Sequence, residues 1–178
     1  MAVKDVALAG WLWAGLALGN GCSHAAPTPT PPCTAPEPLR ISVAASPRLN
    51  PGEKGEALAT VVRVYQLKTT GKLTGASFDD LLDRDRDALG EDFLSVQELT
   101  INPGDKMGPP VARNADAGYV AAVALFRQPS GSTWRAVRKL APADPNYCHA
   151  AAKPGKPPID PVAPVARFFL DENRIELR

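Results

Sequence analysis

Three cysteines hold most of the reactive chemistry in this chain, and Cys22 is the best placed of them. It stands where an uncharged apolar run, Val6 to Leu18, gives way to a proline-rich stretch. A thiol there is suited to acyl attachment. The run VALAGWLWAGLAL has the length of a signal-peptide core and is too short to span a bilayer. Lys4 supplies a positive charge ahead of it, offset by Asp5, and the small residues Gly19, Asn20 and Gly21 lead up to the cysteine. The leucine usual three places before a lipidated cysteine is here Leu18, one place early. The order predicts a signal peptide over residues 1–21 and lipidation at Cys22. An ordinary signal peptide cut near Gly21 or Ala26 is the alternative.

With Cys22 acylated, Cys33 and Cys148 remain, and in an oxidising compartment they are free to pair. Neither has a CxxC neighbour, and a bridge between them is the expectation over two unpaired thiols. The closed loop would be long, giving at most about 4–5 kcal/mol of chain-entropy stabilisation.

Other candidate chemistry is thin. Asp83-x-Asp85-x-Asp87 resembles the opening of a calcium loop, but Ala88 and Leu94 stand where that loop needs glycine and a bidentate glutamate. A solvated helix face is the better reading. Tyr147-Cys148-His149 has no second histidine or carboxylate at ligand spacing, and His24 lies in the proline-rich stretch. No nucleophile elbow, zinc-protease helix, phosphate loop or dinucleotide fingerprint occurs. The sequence therefore predicts no enzyme, no metal and no cofactor. With 20 basic and 19 acidic side chains spread along the chain, no nucleic-acid footprint is expected.

A binding loop is the remaining candidate. SPRLNPGEKGEA (46–57) is polar and long for a strand connection, and Pro47 and Pro51 stiffen it. Leu49 is its one large apolar side chain, between Arg48 and Asn50. A stiff loop with an exposed apolar knob loses little order on docking. A plain solvent loop is the competing reading.

These residues need a scaffold. Six of the twelve residues from Pro27 to Pro38 are proline, so 22–38 reads as an extended tether. Residues 39–178 make one domain, with a proline-rich excursion over 142–164. Strands are expected at 39–45, 59–67, 93–101, 119–127 and 133–140, with a terminal hairpin from 166–171 and 174–178. One helix is expected between Ser77 as N-cap and Gly90 as C-terminal stop. Strands with a single inserted helix predict a mainly β, two-sheet β-sandwich.

An ordered set of motifs sharpens this. Arg48-Leu49-Asn50-Pro51 is followed by VVRVYQLK (61–68), Ser77-Phe78-Asp79-x-Leu81 and Leu89-Gly90-x-Asp92. Leu99-x-x-x-Pro103-Gly104, the strand ending at Arg127, and Trp134-Arg135 complete it. Together they resemble the TssJ family, the outer-membrane lipoproteins of bacterial type VI secretion systems. The resemblance implies a transthyretin-like sandwich with an added helix, and no catalysis, cofactor or small-molecule substrate. It implies attachment by acyl chains to the periplasmic face of the outer membrane, a placement that Ser23 after Cys22 also favours. It implies binding to the periplasmic C-terminal region of the inner-membrane protein TssM, and through it an indirect link to TssL. The contact would be the loop between the first two strands, with Pro47, Arg48, Leu49, Asn50 and Pro51 at its heart. The 142–164 stretch departs from the family pattern. Two other readings remain: a periplasmic transthyretin-like carrier, and an exported enzyme built on Cys148-His149.

Overall fold

A computed structural model describes residues 38–108, 110–143 and 165–178. All of them lie in one unit, Pro32–Arg178. Cys22, Cys33, Cys148, His24 and His149 fall outside the described residues, and so do the expected signal peptide, most of the expected tether and most of the 142–164 stretch.

Leu39–Ala45 (β1) shows how pattern becomes structure. Leu39, Ile41, Val43 and Ala45 are buried while Arg40, Ser42 and Ala44 are half-exposed, so one face of the strand enters the core. β1 lies in a five-stranded sheet with Lys106–Met107 (β4), Pro110–Val111 (β5), Ala166–Asp171 (β8) and Arg174–Leu177 (β9). It pairs antiparallel with β4 and β5 on one edge, and parallel with β8 on the other, Val43 opposite Phe168. β8 and β9 form the expected terminal hairpin.

The second sheet is antiparallel, in the order Phe93–Ile101 (β3), Thr60–Leu67 (β2), Tyr119–Ala124 (β6) and Arg135–Lys139 (β7). Val62, Val64, Leu99 and Ile101 join Ile41, Val43, Phe168 and Leu170 in one hydrophobic cluster. The continuous apolar run of β6 is explained by its central place: Val120 to Ala124 are all buried.

The outer face of this second sheet is covered by short helices, and here the sequence expectation needs correction. One helix was expected over 77–90. The chain forms Gly71–Gly75 (α1), Phe78–Asp83 (α2) and Asp85–Leu89 (α3), then a 3-10 turn, Gly90–Asp92. Ser77 does cap α2, accepting from the Asp80 N–H at 3.1 Å while the Asp80 carboxylate accepts from the Ser77 N–H. The Ser77 hydroxyl, then Arg84, holds Asp80 down to a pKa of about 2.

The break at Arg84 has a cause in the sheet below. Arg63 of β2 donates one guanidinium nitrogen to the carbonyls of Leu81 and Leu82, at 2.6 and 3.1 Å. A continuing helix would have used those carbonyls for the N–H groups of Asp85 and Arg86. The Arg86 N–H turns instead to the Asp85 carboxylate, whose other oxygen accepts from the Tyr65 hydroxyl at 2.8 Å. Burial, then that bond to Asp85, raises the Tyr65 pKa. Arg135 of β7 does the same for α1, donating to the carbonyls of Leu73, Thr74 and Ala76. Phe78 stacks edge-on against Trp134 with centroids 5.4 Å apart. Two arginines and a tyrosine thus clamp the helical segment to the sheet.

Candidate functional site

The loop after β1 begins with a tight turn. Leu49 N–H donates to the Ser46 carbonyl at 3.3 Å, and Arg48 N–H to the Ser46 hydroxyl at 3.1 Å. This turn carries Leu49 inward. Its side chain is 0% exposed and belongs to the hydrophobic core. The exposed apolar knob expected from the sequence is therefore not there: Leu49 closes the end of the sandwich, where burial of an isobutyl group is worth about 1.5–3 kcal/mol.

Asn50 is also buried, at 3% exposure, and its backbone is left-handed with φ of 46°. Asparagine tolerates that region better than most residues. Its side chain spans two neighbours: Nδ2 donates to the Ala59 carbonyl at 3.0 Å, and Oδ1 accepts from the Arg127 N–H at 2.9 Å. Its own N–H donates to the Glu172 carbonyl at 2.9 Å. Asn50 is a junction between the loop, the end of β6 and the β8–β9 turn.

Pro47 and Arg48 are exposed and Pro51 is half-exposed. The Arg48 guanidinium reaches both Asp171 oxygens at 3.1 Å and Glu172 at 3.3 Å. Its side chain is 68% exposed against 10% for Asp171, so the aspartate is the fixed partner. Arg174 approaches the same carboxylate at 3.2 Å. The Ser46 hydroxyl first, then Arg48 and Arg174, hold Asp171 below the usual carboxylate range, against the opposing effect of burial.

Farther out, Glu53 to Glu56 are exposed. The loop is bonded to itself: Gly52 N–H to the Glu56 carbonyl at 2.8 Å, and Gly55 N–H to the Gly52 carbonyl at 3.1 Å. Gly55, at φ of 82°, takes a conformation that side chains disfavour. This is a pre-formed projection on a bonded base.

Sequence reasoning missed the partners of this loop. The β8–β9 turn and the Ser130–Thr133 turn reach the same end of the sandwich. Ile175 N–H donates to the Thr133 carbonyl at 2.7 Å, and Arg48, Ser130, Thr133, Asp171, Asn173 and Arg174 line a shallow groove. The Asn173 Oδ1 is buried there without a hydrogen-bond partner among the described residues. The one available signal was Asp171-Glu172-Asn173 in a hairpin turn, whose position next to Arg48 is set by the parallel β1–β8 pairing.

No group of three or more histidine, cysteine, aspartate or glutamate side chains able to hold a metal occurs among the described residues. Asp83, Asp85 and Asp87 are not gathered around a common point, since Asp85 faces Tyr65 and Arg63. No helix among the described residues is long and apolar enough to cross a membrane.

A two-sheet sandwich with short helices on one face and a bonded loop at one end defines a class of mainly β, non-helical-bundle scaffold. The chain belongs to the type VI secretion lipoprotein family (VasD, EvfM, TssJ), whose family model matches residues 37–155. Its fold matches the T6SS lipoprotein TssJ1 from Pseudomonas aeruginosa at 22% identity, covering 80% of this chain and 97% of that one, with a TM-score of 0.59. A chain solved as part of a "Type VI membrane complex" matches at 22% identity, with 80% and 98% covered and a TM-score of 0.62. Another, described as "T6SS protein TssM C-terminal domain (869-1107) from EAEC", matches at 20% identity, with 79% and 97% covered and a TM-score of 0.60. No curated protein matches the chain in sequence. Membership places the protein among membrane-associated structural lipoproteins of the type VI apparatus.

Proposed function

We propose that this lipoprotein anchors a type VI membrane complex to the outer membrane. In this reading residues 1–21 are a signal peptide, Cys22 is acylated, 22–38 is a tether and 39–178 is the working domain, stapled by a Cys33–Cys148 bridge. Acyl chains contribute about 0.8 kcal/mol per buried CH₂, so several chains hold the protein stably on the periplasmic face. The partner is the periplasmic C-terminal region of a TssM-like inner-membrane protein, which in turn connects to TssL. No catalytic step is involved.

The observation that carries this reading is the pre-bonded loop. Its exposed part, from Pro47 and Arg48 to Glu56, stands on a base fixed by Leu49 and Asn50, so docking costs little order. The roles of the five loop residues differ from those implied by the resemblance. Arg48 and Pro47 offer contact surface, Pro51 sits half-exposed beside it, and Leu49 and Asn50 hold the frame.

Anchoring and binding are separately testable. Cys22→Ser should move the protein from the membrane fraction to the soluble periplasm; continued membrane fractionation would remove the anchor assignment. Calorimetric titration against the TssM-like region tests the loop.

A further inference from the structure

The outer face of the five-stranded sheet carries a groove that lies outside the loop site. Outward side chains of β1 are small beyond Arg40, namely Ser42 and Ala44. They form the floor of a groove of about 560 Å³, with Lys106 on one side and Arg167, Phe169 and Arg178 on the other. The register sets these neighbours: Lys106 lies across Ala44, and Arg167 across Ser42. Arg178 N–H donates to the Arg167 carbonyl at 2.8 Å, and its guanidinium lies 3.4 Å from the Phe169 ring centroid.

No carboxylate lines this groove among the described residues. Glu176, beside Phe169 on β9, is engaged by Arg178 at 2.9 Å. Arg40, Lys106 and Arg167 have no ion pair among the described residues. In a chain with a formal net charge of only +1, this is local enrichment of positive charge.

The position of the face is informative. Pro38, the last proline of the proline-rich stretch, leads directly into β1, and Arg40 is the first outward residue. Arg40, Arg167 and Arg178 gather at that end of the sheet. The loop at Ser46 leaves from the other end of β1, seven residues on, or about 23 Å away. We propose that this basic face is a lipid-docking surface, seating the anionic phospholipid headgroups of the membrane that the tether attaches to. Phosphates enter the groove between Lys106 and the Arg167–Arg178 pair. The domain is thereby oriented with this sheet face on the bilayer, which leaves the loop end free at its side. The proposal rests on the reading of the chain as membrane-tethered.

The test uses the unacylated chain from Pro32, the unit that contains the described core, and vesicles of phosphatidylcholine with and without phosphatidylglycerol. The expected result is co-sedimentation with the anionic vesicles only, weakened as salt rises. Each basic residue near an anionic surface contributes about a fivefold factor, so Arg167→Gln with Lys106→Gln should bind roughly 30-fold more weakly. Arg178→Gln alone should weaken binding about fivefold, and Lys72→Gln, on α1 against the other sheet, should leave it unchanged. These side chains project outward, and circular dichroism checks that each variant is folded. Absence of binding to anionic vesicles at low salt would overturn the proposal. Binding that neither Arg178→Gln nor the double variant weakens would overturn it too. Titration with the TssM-like region contains no lipid, so its outcome is independent of this one.

Discussion

Replacing Asn50 with alanine isolates the junction that holds the loop. The side chain makes two hydrogen bonds, to the Ala59 carbonyl at 3.0 Å and from the Arg127 N–H at 2.9 Å. Its removal leaves both backbone groups without these partners, at about 1–1.5 kcal/mol each if water reaches them only in part. Alanine must also hold φ near 46°, a further cost of about 1 kcal/mol relative to a residue at ease there. The expected loss is therefore about 3–4 kcal/mol, which for a small domain is a large share of its stability. Asn50→Gly separates the contributions: it relieves the backbone but not the lost bonds, and should lie about 1 kcal/mol above alanine. Urea unfolding of the chain from Pro32, monitored by Trp134 fluorescence and far-ultraviolet dichroism, reads both. A loss under about 1 kcal/mol for Asn50→Ala would refute the junction role.

Leu49→Asp would place a carboxylate in the apolar end of the sandwich, and is expected to unfold the domain or destabilise it by more than about 3 kcal/mol; a melting curve like that of wild type would contradict the burial of Leu49. Asp171 has a lowered pKa, so its stabilising contribution is full above its unfolded value of about 3.9 and is lost as pH falls below that, towards the folded value. Acid unfolding of Asp171→Asn should accordingly show a shallower loss across this range, and an unchanged slope would exclude the Ser46, Arg48 and Arg174 interactions as its cause. Cys22→Ser should be found in the soluble periplasm, as fractionation would show.

Strand positions were legible where one rule governed them. The alternation in LRISVAA located β1 to the residue, because one face is buried and the other is wet. FLSVQELTI and ARFFLD gave β3 and β8 equally well. The two-residue strands β4 and β5 carry no pattern, and exist because the chain after Pro103-Gly104 runs back beside β1. The helix boundary at Arg84 was illegible because Arg63, twenty-one residues earlier, takes the carbonyls that would continue it. Leu49 was misread for a related reason. Composition reports one leucine in a polar loop, and only the turn at Ser46 decides which way it points. The site's other half, Asp171 and Asn173, was invisible until β8 took its place beside β1. The family resemblance survived these corrections because it rested on an ordered set of motifs, most of which prove to be framework: Tyr65 and Arg63 on β2, Ser77 at a helix cap, Trp134 under Phe78.

The loop end of this lipoprotein is proposed to bind a TssM-like periplasmic region. Titration calorimetry of the chain from Pro32 with that region, comparing wild type with Arg48→Ala, tests it most directly. Arg48 is exposed, and Arg174 and Ser46 still hold Asp171 in its absence, so the variant should remain folded. Wild type should bind saturably, and Arg48→Ala about tenfold or more weakly, as for a desolvated arginine contact. No binding by a folded wild-type chain, or equal affinity in the two, would contradict it.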